Sequence, residues 1–515
     1  MLEKRSVSVV NMKESGGEVS HWRAGTRLSR GIHRLPAANG AVWVVVALAV
    51  PRFLGAVLTV LLRRFLGPAA SGTFDLAYTP YKLLDTFRSF GTGPALVYEH
   101  TMSNELADTA WTINMIAAVL ITLLAQIVAE PVARYYGHPA IETVVRVLSI
   151  AYVFGSLTSV HYFLLLRDLN FRARSVPPIG QVVAAGTVAV LFALWGFGVG
   201  SLVAREVASA AAGAALLWAV HPFRPRVRLV PQLARRLLGY GVWVGGGLAL
   251  LYLAQNADLF IGGRLIRSTG AIGFYTTSWT LAFMVAGILT VLVGNVVFPT
   301  LSRLQHDVVE LRAKLLNGLQ QVSLVLCPAS VLLACLAPVI IVPVLGAKFA
   351  PYRDLFAVLT LLALYAALRT LLAVFFEGYK AIGKPWLVPA YNGAKLCVLV
   401  PSMIVGAHYG VMGLALGYTP VEALEIPGAL ILAFWALGIR PTEVWTSIRV
   451  PMIATVIMAA VAVGVESALV GLTHGSDTAT LIVSFMLAAS TYILVLRLAD
   501  RTLLSQARLV LLAGL

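Results

Sequence analysis

Two seven-residue stretches, Gly72-Thr-Phe-Asp-Leu-Ala-Tyr78 and Gly273-Phe-Tyr-Thr-Thr-Ser-Trp279, each begin with a glycine and each follow a long apolar run. They lie about 200 residues apart, and a second pair, Gly196-Phe-Gly-Val-Gly-Ser-Leu202 and His408-Tyr-Gly-Val-Met-Gly-Leu414, repeats the spacing at about 210, the signature of an internal duplication. Six apolar stretches separate the members of each pair. Six is even, so both halves cross a bilayer in the same sense, as parallel repeats related by an axis along the membrane normal; in such transporters the site lies where the repeats meet.

Outward from these stretches the chain is apolar almost throughout. Of 515 residues, 59% are hydrophobic and 12% charged, with a mean hydropathy of +0.85, which excludes a soluble domain. The pattern predicts fourteen spans, near 41–62, 72–96, 108–130, 141–166, 177–197, 199–221, 238–262, 270–299, 316–345, 355–377, 384–407, 410–436, 449–471 and 478–498. With the N-terminus inside, every second loop is basic: roughly 25 Lys and Arg fall on the cytoplasmic side against roughly 8 outside. The outside group includes Arg63, Arg64, Arg134, Arg264, Arg267 and Lys348. The net charge of +16 therefore reads as topology, with no nucleic-acid partner. Both termini are expected in the cytoplasm. The domain plan is a basic tail (1–40), a first lobe (41–222), a linker (223–237), a second lobe (238–436), spans 13 and 14 (437–498) and a second tail (499–515). Cys327, Cys335 and Cys397 sit in apolar segments and imply neither disulfide nor metal site.

Charges inside the spans are the candidate functional residues, because each costs at least about 2.5 to 3.5 kcal/mol near the bilayer centre and must face protein or water. Span 2 carries Tyr78, Tyr81, Lys82, Asp85, Arg88 and Ser89 at steps of three or four, one polar stripe on one helix face. Either Lys82 and Arg88 neutralise Asp85 and rivet span 2 to a neighbour, or the stripe lines an aqueous cavity with one positive charge left over. Arg52 after Pro51, Arg369 in span 10 and Arg264 at the outer end of span 7 are further cations suited to phosphate, with interfacial anchoring the competing reading for Arg264. Candidates for an H⁺ or Na⁺ site are Asp258, in Gln255-Asn-Ala-Asp258, with Asn392, Lys395 and Thr419. Lys395 either fills the place of a mobile cation or pairs with Glu422, and the pair is favoured. Arg205 and Glu206 are adjacent, hence not on one face, and receive no role. Gly239, Gly241, Gly245, Gly246 and Gly247 mark span 7 as closely packed, movable, or both.

A resemblance adds to this. Asp258-Leu-Phe-Ile-Gly-Gly-Arg264 with Gly273-Phe-Tyr275 and Phe298-Pro-Thr-Leu-Ser-Arg-Leu-Gln305, together with Leu66-Gly-Pro68, Arg167-Asp-Leu-Asn-Phe-Arg172 and Gly378-Tyr-Lys-Ala-Ile-Gly-Lys-Pro385, follow one another in order over residues 41 to 450. This arrangement resembles the polysaccharide transporter family of bacterial lipid-linked oligosaccharide flippases, in the multidrug/oligosaccharidyl-lipid/polysaccharide flippase superfamily. The resemblance implies an all-α polytopic fold with two six-helix lobes in a V shape plus two C-terminal helices, alternating access, and location in the bacterial inner membrane. It implies as substrate an undecaprenyl-diphosphate-linked oligosaccharide carried from the cytoplasmic to the outer leaflet, no organic cofactor, and the polymerase and glycosyltransferases of the same pathway as partners alongside membrane lipids. The family has no single invariant catalytic residue, so Arg52, Tyr78, Lys82, Asp85, Arg88, Arg264 and Arg369 are placed in a cationic cavity by position and physics. The alternatives are a multidrug exporter of the same superfamily, whose lumen should be acidic, a lipid II flippase, and a membrane-embedded polymerase or ligase. That enzyme needs a large external loop with catalytic side chains, whereas here the external loops are short and His408 and His474 stand alone.

Overall fold

The computed structural model describes residues 37–88, 92–93, 96, 103–167, 171–293, 297–304, 307–384, 386–472, 477–499 and 503. Ser89 and almost all of both tails lie outside the described residues. Contacts divide the chain into residues 1–41 and 42–515; of the first, the described part is the opening of the first helix, and the second holds everything discussed below.

Every described element is helical, and the order follows the expected spans. Spans 1 to 3 are α1 (Ala37–Leu66), α2 (Pro68–Arg88) and α3 (Asn104–Tyr136), and span 4 is divided into α4 (Ala140–Leu148) and α5 (Ile150–Arg167). Spans 5 and 6 are α6 (Phe171–Leu194) and α7 (Val199–Val220). Span 7 is broken into α8 (Pro231–Gln255) and α9 (Ala257–Leu265). Span 8 is α10 (Thr269–Leu292), followed by the short α11 (Phe298–Arg303), and span 9 begins as α12 (Val308–Cys335). After three short helical segments (Ala337–Ile340, Ile341–Leu345 and Ala347–Leu355) come α13 (Phe356–Ala381), α14 (Leu387–Ala407), α15 (Gly410–Leu416) with α16 (Thr419–Leu437), α17 (Pro441–Leu472) and α18 (Asp477–Ala499). Ten of the described helices are long and apolar enough to cross a membrane; α2, with four charged side chains, is not one of them. The protein is a multi-pass, all-α membrane protein.

Local signals set several ends. The Ser103 hydroxyl accepts from Leu106 N at 3.1 Å to start α3, and the Asp307 carboxylate accepts from Val309 N and Glu310 N at 3.1 and 3.0 Å to start α12. The repeat is visible in the backbone: Gly198 (φ 55°) turns the chain into α7 and Gly410 (φ 75°) into α15, equivalent places in the two halves. The other pair of stretches meets face to face. A Cβ on Gly72 would lie 1.9 Å from Thr269 O, and one on Gly273 would lie 1.8 Å from Pro68 O, so α2 and α10 touch backbone to backbone through reciprocal glycines. Reciprocity of this kind is what a two-fold relation produces.

One expectation for span 7 is corrected. A Cβ added at Gly239, Gly245, Gly246 or Gly247 meets no described atom within 4 Å, so these glycines do not serve close helix packing. The helix break falls further along the chain, at Asn256 (φ −120°, ψ 19°), whose side-chain amide donates to Tyr252 O at 2.9 Å. Helices α17 and α18 pack on α12, where the Tyr492 hydroxyl donates to Leu324 O at 2.8 Å.

Candidate functional site

Two chambers with polar side chains in their walls adjoin one another, the first of them where the halves meet. The first, about 380 Å³, is walled by Arg63 of α1, by Asp75, Tyr78 and Lys82 of α2, by Tyr252, Gln255 and Asp258 around the span 7 break, and by Tyr275, Thr276 and Trp279 of α10. The second, about 400 Å³, lies within the second half and is lined by Phe283, Tyr365, Arg369, Asn392, Lys395 and Tyr418 among others. Gln255 and Trp279 line both, so the chambers adjoin.

The first chamber is roofed by a buried charge cluster at the helix ends expected outside. Arg63, placed in an outer loop by the sequence, is buried; its guanidinium donates to Asp75 Oδ1 and to the Thr276 and Thr277 hydroxyls, each at 2.9 Å. Thr276 also donates to Asp75, its counterpart 201 residues earlier. Further links join the halves at the same level: Lys348 Nζ donates to Phe65 O at 2.7 Å, Arg64 to Val344 O at 3.0 Å, and the Tyr135 hydroxyl to Phe260 O at 3.1 Å.

Below it the span 2 stripe is paired. Lys82 Nζ lies 3.2 Å from Asp85 Oδ2 and 3.7 Å from Glu206 Oε1, and Arg88 Nε donates to Asp85 Oδ1 at 2.7 Å. Tyr78 donates to Glu206 at 3.3 Å. The expected surplus charge on the stripe is therefore taken by Glu206. Being adjacent in sequence did not idle the Arg205-Glu206 pair: the two side chains diverge, Glu206 towards α2 and Arg205 to the Thr59 hydroxyl of α1 at 2.9 Å.

Asp258 is buried and held by hydroxyls rather than cations. It accepts from Tyr275 at 2.6 Å, from Tyr418 at 3.3 Å and from Leu259 N at 2.9 Å, and among the described residues no Lys or Arg pairs with it. The second chamber has an aromatic wall, with Trp279 stacked on Phe283 (4.4 Å between centroids) and Tyr365 beside Tyr418 (4.3 Å). Arg369 lies over the Phe283 ring at 5.5 Å, and no carboxylate among the described residues pairs with it. Lys395 pairs with Glu425 at 2.6 Å, not with Glu422, and donates to the Tyr365 hydroxyl at 3.1 Å. Glu425 lies one turn beyond Glu422 and is the more deeply buried of the two.

The remaining sequence candidates scatter. Asn392 lines the second chamber and donates to Val388 O at 2.9 Å. Arg52 and Thr419 are exposed and line neither chamber. Arg264 is at the end of α9 in a separate hollow with His138 and Arg267, donating to Tyr135 O at 2.7 Å, and lines neither chamber. Among the described residues no group of His, Cys, Asp and Glu is placed to hold a metal.

Comparison with known proteins decides the family. The family described as polysaccharide biosynthesis protein matches residues 61–354, more than half of the chain and the part that builds the first chamber. The chain belongs to that family. Among similar curated proteins, the succinoglycan biosynthesis transport protein ExoT of Rhizobium meliloti (strain 1021) is 26% identical over 63% of this chain, which spans 65% of ExoT. The lipopolysaccharide biosynthesis protein WzxC of Escherichia coli (strain K12) is 21% identical over 75% of this chain and 78% of its own length. Among solved structures, the lipid II flippase MurJ in an inward closed conformation superposes with a TM-score of 0.69 at 14% identity, covering 90% of this chain and 99% of MurJ. An inward-facing MATE-family multidrug resistance transporter superposes with a TM-score of 0.60 at 15% identity, over 77% of this chain and 99% of its own. At these identities the likeness shows a common fold for this polysaccharide biosynthesis protein.

Proposed function

We propose that this protein is a flippase that carries a polyprenyl-diphosphate-linked oligosaccharide, an undecaprenyl-diphosphate repeat unit, from the cytoplasmic to the outer leaflet of the bacterial inner membrane, with both termini in the cytoplasm. The observation that carries the reading is Arg369: a guanidinium inside the helix bundle, in a chamber with an aromatic wall, with no carboxylate beside it among the described residues. A cation is tolerated there when its counter-ion arrives with the cargo, and a guanidinium fork matches phosphate oxygens. The neighbouring rings of Trp279, Tyr365 and Tyr418 offer flat apolar faces with polar tips, which suits a sugar. An organic cation has no such counterpart in this chamber, which disfavours drug export. Transport rather than catalysis fits walls made of paired charges and aromatic rings.

The same geometry supports alternating access. The Arg63 and Asp75 cluster closes the chambers on the outer side, and parting α2 from α10 opens them there. Asp258, at the break of span 7, is the group proposed to carry a coupling proton, since protonation relieves a buried carboxylate supported by two hydroxyls and one backbone N–H with no cation beside it among the described residues. The test is a chromosomal deletion followed by extraction of lipid-linked saccharides. Complete, unpolymerised diphosphate-linked units should accumulate while surface polysaccharide disappears, and Arg369→Ala on a plasmid should fail to reverse this although it inserts normally. Normal surface glycan with no stalled lipid carrier in the deletion strain overturns the reading.

A further inference from the structure

We propose that the apolar groove between α14 and α16 holds the isoprene units nearest the diphosphate of a polyprenyl-linked substrate while its headgroup occupies the polar chamber behind Lys395. This rests on the flippase reading and gives the lipid tail a place in it. The groove, about 560 Å³, is larger than either polar chamber. Its sides are apolar, formed by residues such as Ala394 and Val398 on one helix and Leu424, Ile431 and Trp435 on the other. A groove with such a lining takes an apolar occupant. Leu424, Ile431 and Trp435 are 58%, 68% and 61% exposed, so the groove is open sideways to the hydrocarbon and a chain can enter it from the bilayer.

Its polar floor selects the occupant. Lys395 lines both the groove and the second chamber, so the two adjoin at its side chain and a substrate that spans them would pass beside it. Glu425 neutralises Lys395, and the Tyr391 hydroxyl donates to Glu425 O at 2.9 Å, so the floor presents no net charge to a hydrocarbon chain. Arg369, in the chamber beyond, is left to meet the phosphates. Depth argues the same way. Lys384 lies 4.6 Å over the Trp435 ring and marks the end expected at the cytoplasmic interface. From Leu387 to Lys395 the helix rises about 12 Å, approaching half of a hydrocarbon core of about 30 Å. The polar floor of the groove is therefore close to the membrane midplane. A bulk phospholipid keeps its phosphate at the interface, the opposite end of this groove; a lipid whose headgroup has been drawn into the protein has it at the midplane.

The test uses the full-length protein in nanodiscs of phosphatidylethanolamine and phosphatidylglycerol, with a polyprenyl diphosphate carrying a diazirine in its first isoprene units. After photolysis, label should map to residues 387–398 and 421–435 and be removed by excess unlabelled polyprenyl diphosphate but not by added phosphatidylglycerol. Gly428→Phe fills the groove, because a Cβ there meets only Tyr391, at 3.9 Å. It should cut labelling about tenfold, the loss expected from an overpacked contact. Ala394→Phe, from the opposite wall, should do the same, so a folding defect in one variant does not decide the matter. Groove label competed equally by phosphatidylglycerol overturns the proposal, as does competed label confined to other helices; both leave the flippase reading standing. No competed label anywhere on the protein overturns both.

Discussion

Asp75→Asn keeps the shape of the cluster above the first chamber and removes its only anion. Arg63 and Asp75 side chains are 8% and 10% exposed, and the variant leaves a buried guanidinium with two threonine hydroxyls and an amide. Removing one partner of a buried ion pair costs about 3–5 kcal/mol. That cost falls on the outer-closed arrangement, because parting of α2 and α10 admits water to Arg63. It corresponds to about two to four powers of ten in the ratio of outer-closed to outer-open protein. The assay is labelling of Thr280→Cys, which lines the first chamber, by an impermeant maleimide applied from outside, in a background with Cys327, Cys335 and Cys397 replaced by Ala. Asp75→Asn should raise the labelling rate until the open form dominates. Arg63→Met with Asp75→Leu should bring it back towards the parent, since apolar replacement of a buried pair is often neutral or stabilising. Unchanged labelling in correctly inserted Asp75→Asn, or a double variant as reactive as the single one, refutes the argument that this cluster holds the outer side shut.

Gly72→Ala should lower the melting temperature, since its Cβ would lie 1.9 Å from Thr269 O and forcing two backbones apart costs about 1–3 kcal/mol. Gly239→Ala, with nothing in reach of its Cβ, should raise it slightly through helix propensity worth about 1 kcal/mol. Lys395→Met strands the Glu425 carboxylate and should destabilise by about 3–5 kcal/mol, measured by thermal unfolding in detergent, with Glu425→Leu in the same chain restoring most of the loss. Asp258→Asn retains its hydroxyl partners and should abolish the response of vesicle transport to an imposed proton gradient; a response equal to the parent's removes Asp258 from the coupling role.

How much of this was legible in the sequence depends on whether the signal was local. Span positions and the repeat were, because apolar runs and glycine turns are properties of neighbouring residues: Gly198 and Gly410 share a positive φ, and the stretches at Gly72 and Gly273 are places where the halves touch. The pairing of Lys82 and Arg88 with Asp85 was readable for the same reason, being one helical turn in reach. Partners on other helices were not. Arg63 ends an apolar run beside Arg64 and so looks like a loop cation, yet its carboxylate is twelve residues ahead and its hydroxyls more than two hundred away. Adjacency to Arg205 on one helix hides the role of Glu206, because two diverging side chains serve two different neighbours. Lys395 had two carboxylates in reach one turn apart, and only burial separates Glu425 from Glu422.

The choice among these partners bears on how the site works. If intramembrane charges were paired at random, the surplus cation would fall anywhere in the bundle. Instead the roof is sealed by Arg63 with Asp75, the span 2 stripe is closed by Glu206, and Lys395 is closed by Glu425, so the cation left facing a chamber without a carboxylate, among the described residues, is Arg369. Asp258 is the mirror case, a carboxylate without a cation, lining the adjoining chamber. The two are not each other's partners. On the flippase reading proposed above, Arg369 is the cation offered to an anionic headgroup and Asp258 the carboxylate offered to a proton, and burying two charges without a charged partner in adjoining chambers has a cost that such a carrier would put to use.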